Sequence, residues 1–115
     1  MASSIIPYPA LESGTITKST STGTMSNALL KRINNIVFLR GAITGMSNQA
    51  ENGTFFNVPE GYRPRTEAPI SIMFHDISSG NYITYTATVK TTGNIDLLYS
   101  QSKTDEVTVW GTYPI

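Results

Sequence analysis

The sequence has no cysteine, a single histidine and few charged residues, and each shortage excludes a class of function. Without cysteine there is no disulfide, no thiolate nucleophile and no cysteine-ligated zinc. Because His75 is the only histidine, a metal site built from several histidines is excluded too, and we expect no metal ion and no cofactor. Eight Lys and Arg residues balance eight Asp and Glu residues, so neither nucleic acid nor an anionic membrane is an expected partner.

Long apolar stretches are also missing. No run approaches the roughly 18 apolar residues that a membrane-spanning helix requires. The first ten residues, MASSIIPYPA, lack the charged and apolar regions of a secretory signal. The expectation is therefore a soluble protein made in the cytoplasm. At 115 residues the chain has the length of one domain with one core.

Hydroxyl and amide side chains are abundant instead. The chain contains 28 Ser and Thr residues and eight Asn residues, whereas charged residues make up only 14%. Thr is typical of the solvent face of strands, and Asn and Gly are typical of turns. Stretches rich in β-branched and aromatic residues lie between turn signals and predict eight strands. They cover residues 11–17, 28–33, 36–44, 54–58, 70–76, 82–90, 95–99 and 107–113.

Eight short strands without room for crossover helices leave an antiparallel sandwich, a jelly roll or a closed barrel. We predict an all-β, jelly-roll-like antiparallel β-sandwich over residues 26–115. Residues 1–25 are predicted to form an N-terminal arm that carries the possible first strand. The Asn34-Asn35 pair predicts a tight hairpin, because Asn tolerates positive φ.

Alternation assigns the faces of the predicted strands. In residues 82–90 apolar side chains alternate with threonines, which indicates one buried and one wet face. Residues 70–76 repeat the pattern. Residues 36–44 do not, since Ile36, Phe38 and Ala42 form a second apolar face opposite the first. That face predicts either a contact between subunits or a surface covered by the N-terminal arm.

Few residues suggest catalytic chemistry. Asp76 cannot orient His75, because adjacent residues of a strand point to opposite faces. The carboxylates of Asp96, Asp105 and Glu106 are interpreted as solvated charges in loops rather than as a glycosidase pair. No motif positions a serine beside a base. We therefore predict no catalytic residue and no enzymatic activity.

Trp110 is the most informative single residue. Alternation places it on an outward face with Thr108 and Thr112. A large aromatic side chain among threonines can stack on a sugar ring, contact another subunit, or simply be partly covered. All three interpretations remain open from the sequence.

Four segments stand out in chain order: LLKRINNIVFLRGAITG, GTFFNVPEGYRP, TATVKTTGNIDL and WGTYPI. They resemble a known family, the C-terminal domains of tail-fibre, baseplate and receptor-binding proteins of phages and prophages. LLKRINNIVFLRGAITG resembles the family's opening hairpin, and GTFFNVPEGYRP resembles its most recognisable strand and loop. TATVKTTGNIDL is similar to a later strand, turn and strand, and WGTYPI to the closing strand. Together with LESGTIT, which is similar to the preceding segment, they follow the family's order. Val58 stands where the family commonly has leucine.

The resemblance implies a β-sandwich assembled as a homotrimer at a fibre or baseplate tip of the virion. Its implied partners are other virion tail proteins and a host cell-wall saccharide. There are two alternatives. One is a structural protein that decorates the virion without binding a ligand, and the other is a carbohydrate-binding module of a bacterial glycosidase. The family's sugar-contacting residues do not carry over, because phages diversify their binding surfaces.

The PEGYRP loop also has a physical interpretation of its own. Pro59 and Pro64 fix φ at both ends, and Gly61 permits a turn. Tyr62 can then pack on the core while Arg63 bonds loop carbonyls. These features favour a structural brace over direct contact with a ligand.

Overall fold

A computed structural model describes residues 11–50, 53–76, 79–97 and 103–115, in which there are nine strands and no helix. None of this part of the chain therefore forms a helix able to span a membrane. Of the predicted N-terminal arm, residues 1–10 lie outside the described residues, and residues 11–25 belong to the described part of the chain. The strands are β1 (Leu11–Ser13), β2 (Thr17–Lys18), β3 (Thr24–Ile33), β4 (Ile36–Ala50), β5 (Gly53–Asn57), β6 (Ala68–Asp76), β7 (Tyr82–Val89), β8 (Asn94–Leu97) and β9 (Lys103–Pro114).

All nine strands belong to one antiparallel sheet in the order β1-β3-β4-β9-β6-β7-β8-β5-β2. The predicted all-β class and the antiparallel pairing are confirmed. The hydrogen bonds form one continuous ladder that curls into a half-barrel, so the two separate sheets of a sandwich are not shown. Bulges between β3 and β4, between β4 and β9, and between β5 and β8 favour this curvature, because an extra residue bends and twists a strand.

The predicted hairpin between β3 and β4 is confirmed. Ile33 pairs with Ile36 across the two turn residues, and Asn34 has φ of 54°. Asn adopts this left-handed conformation more readily than most residues, because its short polar side chain bonds the local backbone. The turn fixes the register of β4, whose inward and outward side chains define the two surfaces of the sheet.

The predicted first strand, residues 11–17, is divided into two strands on opposite edges of the sheet. β1 pairs with β3, whereas β2 pairs with β5. Ser13 and Thr17 are four residues apart, so at most about 14 Å separates the two edges at this point. Between them Gly14 N donates to Leu30 O at 3.0 Å, and Ile16 is buried in the core. The chain thus crosses from one edge to the other.

The core fills the inside of the curl. The predicted alternation of β6 and β7 is confirmed, since Ile70, Ile72 and Phe74 are buried and Ala87 and Val89 are buried beside them. The ring of Phe74 packs against that of Phe55 on β5, with centroids 5.1 Å apart. β5 and β6 are separated by two strands in the sheet, so this contact crosses the interior.

Replacement of Gly14 should test the crossing between the two edges. A Cβ atom there would lie 2.7 Å from Tyr62 Cε2 and 3.0 Å from Leu30 Cδ2, and both neighbours are buried. We expect Gly14→Ala to lower the free energy of unfolding by about 1 to 3 kcal/mol, because a packed core resists an added methyl group. Urea denaturation measures the change.

Gly41→Ala is the matched control. A Cβ at Gly41 would meet only ordinary contacts, 3.5 Å from Met25 Sδ and 3.7 Å from Ile16. Alanine there should be tolerated within about 1 kcal/mol, since it also reduces the freedom of the unfolded chain. Equal losses in the two variants would contradict a special constraint at Gly14.

Candidate functional site

The side chains that point away from the core form one continuous surface on the central strands β4, β9 and β6. The register sets Phe38 opposite Thr112, Ala42 opposite Thr108, and Trp110 between Arg40 and Ser71. The predicted subunit contact and the predicted ligand surface are therefore neighbours. We call this surface the outer face; it comprises Ile36, Phe38, Arg40, Ala42, Ser71, Met73, Thr108, Trp110 and Thr112.

Three large apolar side chains of the outer face are open to solvent. Ile36 is 40% exposed, and Phe38 and Trp110 are each 38% exposed. Thr112 is exposed and Thr108 is half-buried. Ala42, the third residue predicted for the subunit contact, is buried because its methyl group is too short to project beyond its neighbours. Any contact on this face would therefore be made by the larger residues around it.

Two depressions lie along the outer face, and one of them is lined by Trp110. One, of about 310 Å³, lies towards β6 and β7 and places the indole beside the hydroxyls of Ser71, Thr86 and Thr112. The other, of about 420 Å³, lies towards β4 and includes Arg40 and Thr108. The first combines a flat apolar surface with several hydroxyl groups, which is the chemistry that a sugar ring requires.

Arg40 was missed by the sequence analysis, although a signal for it existed. It follows Phe38 by two residues, so the alternation that grouped Ile36, Phe38 and Ala42 places Arg40 on the same face. Its charge separates it from the apolar residues that define the pattern on this face. Its cross-strand partner Trp110 could not be assigned without the register between β4 and β9.

The PEGYRP loop is held by the backbone and by the core. Tyr62 N donates to Pro59 O at 3.1 Å around Gly61, whose φ is 90°. A positive φ at the third position of a turn favours glycine. The Arg63 guanidinium donates from Nε to Val58 O at 3.0 Å. Pro64 is buried, while Pro59 is half-buried.

Tyr62 links the loop to β9. Its side chain is buried, and its carbonyl accepts a hydrogen bond of 2.5 Å from the Tyr113 hydroxyl. Burial raises the pKa of Tyr113, so the phenol keeps its proton and remains a donor. These contacts correspond to a bracing role for the loop. They do not account for the N–H donors of Arg63 other than Nε.

Asp105 lies in a strand and not in the predicted loop. β9 begins at Lys103, and the pairing of β9 with β6 skips Asp105 between the partners of His75 and Asp76. Such a bulge places two successive side chains on one face. Asp105 and Glu106 therefore both lie beside His75, and Thr104, which is fully buried, bonds the carbonyl of His75 at 2.8 Å.

The carboxylate that bonds the His75 ring is that of Asp105, and not that of the neighbouring Asp76. His75 Nδ1 lies 2.7 Å from Asp105 Oδ1, and the imidazole packs on the Tyr82 ring with centroids 4.8 Å apart. The hydrogen bond to Asp105 raises the pKa of His75 above its ordinary value of 6.5, and the carboxylates of Glu106 and Asp76 raise it further. Partial desolvation opposes this shift.

The carboxylates of Asp96 and Asp105 are too far apart to act as a pair. Asp96 lies on β8 and accepts a hydrogen bond of 2.5 Å from Thr54 Oγ1. Two strands separate β8 from β9, and the register places the two carboxylates six residues apart along β6, which is about 20 Å. A glycosidase needs about 5 to 10 Å. The described residues also include no group of three or more His, Cys, Asp or Glu side chains that could hold a metal ion.

Comparisons with protein-family models and with curated proteins give no match for this chain. Any function proposed for the chain therefore rests on its geometry and on the segments whose sequence resembles phage tip domains.

The stability of the protein should depend on pH through His75. Because its folded pKa is raised, the stabilisation is fully present below pH 6.5 and is lost as the pH rises through the higher folded pKa. Asp105→Asn should therefore lower the thermal midpoint at about pH 5 more than at about pH 8.5. It should also move the NMR titration of the His75 ring back towards its ordinary value.

Asp96→Asn serves as the control, because it removes a carboxylate that bonds a threonine instead of a histidine. Its effect should be nearly the same at the two pH values. An Asp105→Asn effect that is likewise independent of pH would show that the pair with His75 does not stabilise the fold.

Proposed function

We propose that this chain is a structural domain of a phage or prophage virion, at a tail-fibre or baseplate tip, and that its outer face binds a host cell-surface saccharide. The virion assignment is supported by the four segments that resemble phage tip domains in order. The binding assignment is carried by one observation. Trp110 is 38% exposed and borders a depression that also contains the hydroxyls of Ser71, Thr86 and Thr112.

The chemistry of this depression suits a neutral sugar. A pyranose presents an apolar C–H face that stacks on an aromatic plane and a polar edge that needs hydrogen-bond partners. Trp110 offers the plane, and the surrounding threonines and serine both donate and accept. The exposed side of the sheet also carries threonines on the neighbouring strand β7, where Thr84 and Thr86 are exposed. Such a surface recognises hydroxyl groups without a net charge.

The sandwich architecture of phage tip domains is part of the same proposal. Curling brings side chains of non-neighbouring strands into contact, as for Phe55 of β5 and Phe74 of β6. Two parts of one curled sheet then face each other across the core as the two layers of a sandwich do. The continuous ladder is compatible with a jelly-roll-like arrangement in which edge strands join the layers.

We further propose that the domain is a homotrimer. Ile36 and Phe38 are exposed on the outer face and form the apolar side of β4 that lacks a partner within the described residues. A monomer gains nothing from two large exposed apolar side chains on one strand, whereas a subunit contact buries them. Three weak saccharide sites on one trimer would raise the avidity by roughly a hundredfold or more when the glycan spans several of them.

A second candidate function is assembly without a ligand. It is favoured by the position of Trp110 beside the strand that carries Ile36 and Phe38, because one contact between subunits could cover all three side chains. Trp110 would then belong to the interface and the domain would be a decoration of the virion. A carbohydrate-binding module of a bacterial glycosidase would use Trp110 in the same way but would not need the trimer.

Replacement of Trp110 separates these functions. Trp110→Ala should weaken binding to purified host cell-wall saccharide about tenfold or more, because truncation of a stacked aromatic anchor costs about 2 kcal/mol. The trimer should persist by light scattering. Tyr82→Ala is the control, since it removes an aromatic side chain that is 57% exposed at a different place on the sheet. Its binding should equal that of the parent.

The alternative outcomes are distinct. Unchanged saccharide binding by a trimeric Trp110→Ala variant would remove the residue from the ligand site. Dissociation of the trimer would assign Trp110 to the interface and favour assembly without a ligand.

The trimer has its own test at Phe38. Phe38→Asp should yield monomers in light scattering at micromolar concentration, because a charge would be buried without a partner at the proposed contact. Thr84→Asp is the matched control, since it adds the same charge at an exposed position three strands away and should remain trimeric. A monomer mass for the parent protein would contradict the proposed homotrimer.

A further inference from the structure

Three of the four arginines of the chain line a single depression of about 200 Å³. They are Arg32 of β3, and Arg63 and Arg65 of the loop that follows β5. The remaining lining comes from Asn35 in the hairpin turn, Gly61 in the loop and Ile115 after β9. The depression therefore lies at one end of the curled sheet, and none of its residues belongs to the outer face.

Backbone carbonyls hold two of these guanidinium groups in place. Arg32 donates from Nε to Asn34 O and from Nη1 to Gly61 O, both at 2.8 Å. Arg63 donates from Nε to Val58 O. A guanidinium has five N–H donors, so each side chain retains several for another partner. The carbonyls orient the two groups but do not neutralise their charge.

Within the described residues no carboxylate forms an ion pair with these arginines, although Glu12 lies opposite Arg32 in the pairing of β1 with β3. The ion pairs found there join His75 to Asp105 and Lys90 to Glu67, and neither involves an arginine. Glu60 is next to Gly61 in the chain, yet it is exposed and does not line the depression. A protein of zero formal net charge thus gathers positive charge at one point, where the like charges repel one another.

A bracing role does not account for the whole cluster. It explains the contacts of Arg32 and Arg63 with the loop carbonyls. Arg65 is exposed, and within the described part of the chain its guanidinium has no hydrogen-bond or ion-pair partner. Its position adds charge to the depression without adding a contact that stabilises the loop.

We propose that Arg32, Arg63 and Arg65 form a binding site for a phosphate group, either free or attached to a sugar. Guanidinium groups match the paired oxygens of phosphate with parallel N–H donors, and three of them suit its double charge better than the single charge of a carboxylate. The depression is smaller than the 300 to 1,000 Å³ or so of sites that enclose a whole ligand. It therefore takes one charged group and leaves the rest of the ligand outside.

This site goes beyond the proposed saccharide surface and is independent of it. The arginines lie in a depression that shares no residue with the depression beside Trp110. Failure of one site therefore leaves the other untouched. A Trp110→Ala variant should bind phosphate as the parent does, whatever its saccharide binding.

The test is calorimetric titration of the full chain with inorganic phosphate at low ionic strength. We expect saturable binding by the parent protein and roughly tenfold weaker binding by Arg65→Gln, since the variant loses hydrogen bonds to a charged group. Arg65→Lys keeps the charge but loses the paired donors, so its loss should be smaller. Arg65 is exposed and makes no contact that the fold needs, so these variants should keep the parent's thermal midpoint.

Lys90→Gln is the control for net charge. It removes one positive charge from an exposed pair with Glu67, outside the depression, and should leave phosphate binding within about twofold of the parent. Equal weakening by Lys90→Gln and Arg65→Gln would reduce the effect to non-specific attraction and overturn the proposal. Absence of saturable binding, or binding that Arg65→Gln leaves unchanged, would overturn it as well.

Two further titrations identify the source of the phosphate. Binding of glucose 6-phosphate as tightly as or more tightly than inorganic phosphate would indicate a phosphorylated sugar, and binding of inorganic phosphate alone would indicate the free ion. Unphosphorylated glucose should not compete with phosphate. Competition by glucose would show that the sugar ring occupies the depression, and the phosphate site would be refuted.

Discussion

The crossing of the chain between the two edges of its sheet is the constraint on which the rest of the structure depends. Only three residues, 14–16, separate β1 at one edge from β2 at the other. So short a connection requires the two edges to lie close together, and a nine-stranded sheet meets that requirement only by curling. The crossing itself is packed, because Gly14 lies against Tyr62 and Ile16 is buried in the core. Inside and outside are thereby defined for every strand.

Because the sheet curls around one core, apolar residues on its outward side have no core to pack against. On most strands the outward positions carry threonine, serine or charged side chains, as the solvent requires. Ile36, Phe38 and Trp110 depart from that rule, and the register places Phe38 and Trp110 on adjacent strands only two residues apart. A single exposed apolar residue needs no explanation, but three neighbours on one surface indicate a contact that the described residues do not make. The contacts proposed for this surface are a subunit contact and stacking on a sugar; the alternative of cover by the N-terminal arm involves residues 1–10, which lie outside the described residues.

The sequence predicted most strands and their faces because these depend on the local alternation of apolar and polar residues. That alternation is clear in β6 and β7. It could not predict that residues 11–17 divide, since strands of two or three residues have no measurable period. It also placed Asp105 in a loop, because a bulge in β9 shifts the faces without leaving a mark in the composition. The arginine depression could not be predicted from the sequence for another reason. Arg32 is about thirty residues from Arg63 and Arg65, and only the curl and the loop contacts bring them together.

Bracing of the fold and the proposed binding of an anion are compatible in the loop of residues 59–65. Its inward side holds the fold, since Tyr62 packs against the crossing at Gly14 and its carbonyl accepts the Tyr113 hydroxyl. Its two arginines line the depression at the end of the sheet, and the contact of Arg63 with a carbonyl uses one donor and leaves the rest. A rigid loop is the better platform for a charged ligand, because its donors are oriented before the ligand arrives and little entropy is lost on binding. The rigidity that identifies the loop as a brace is therefore also what makes its arginines suitable for recognising an anion.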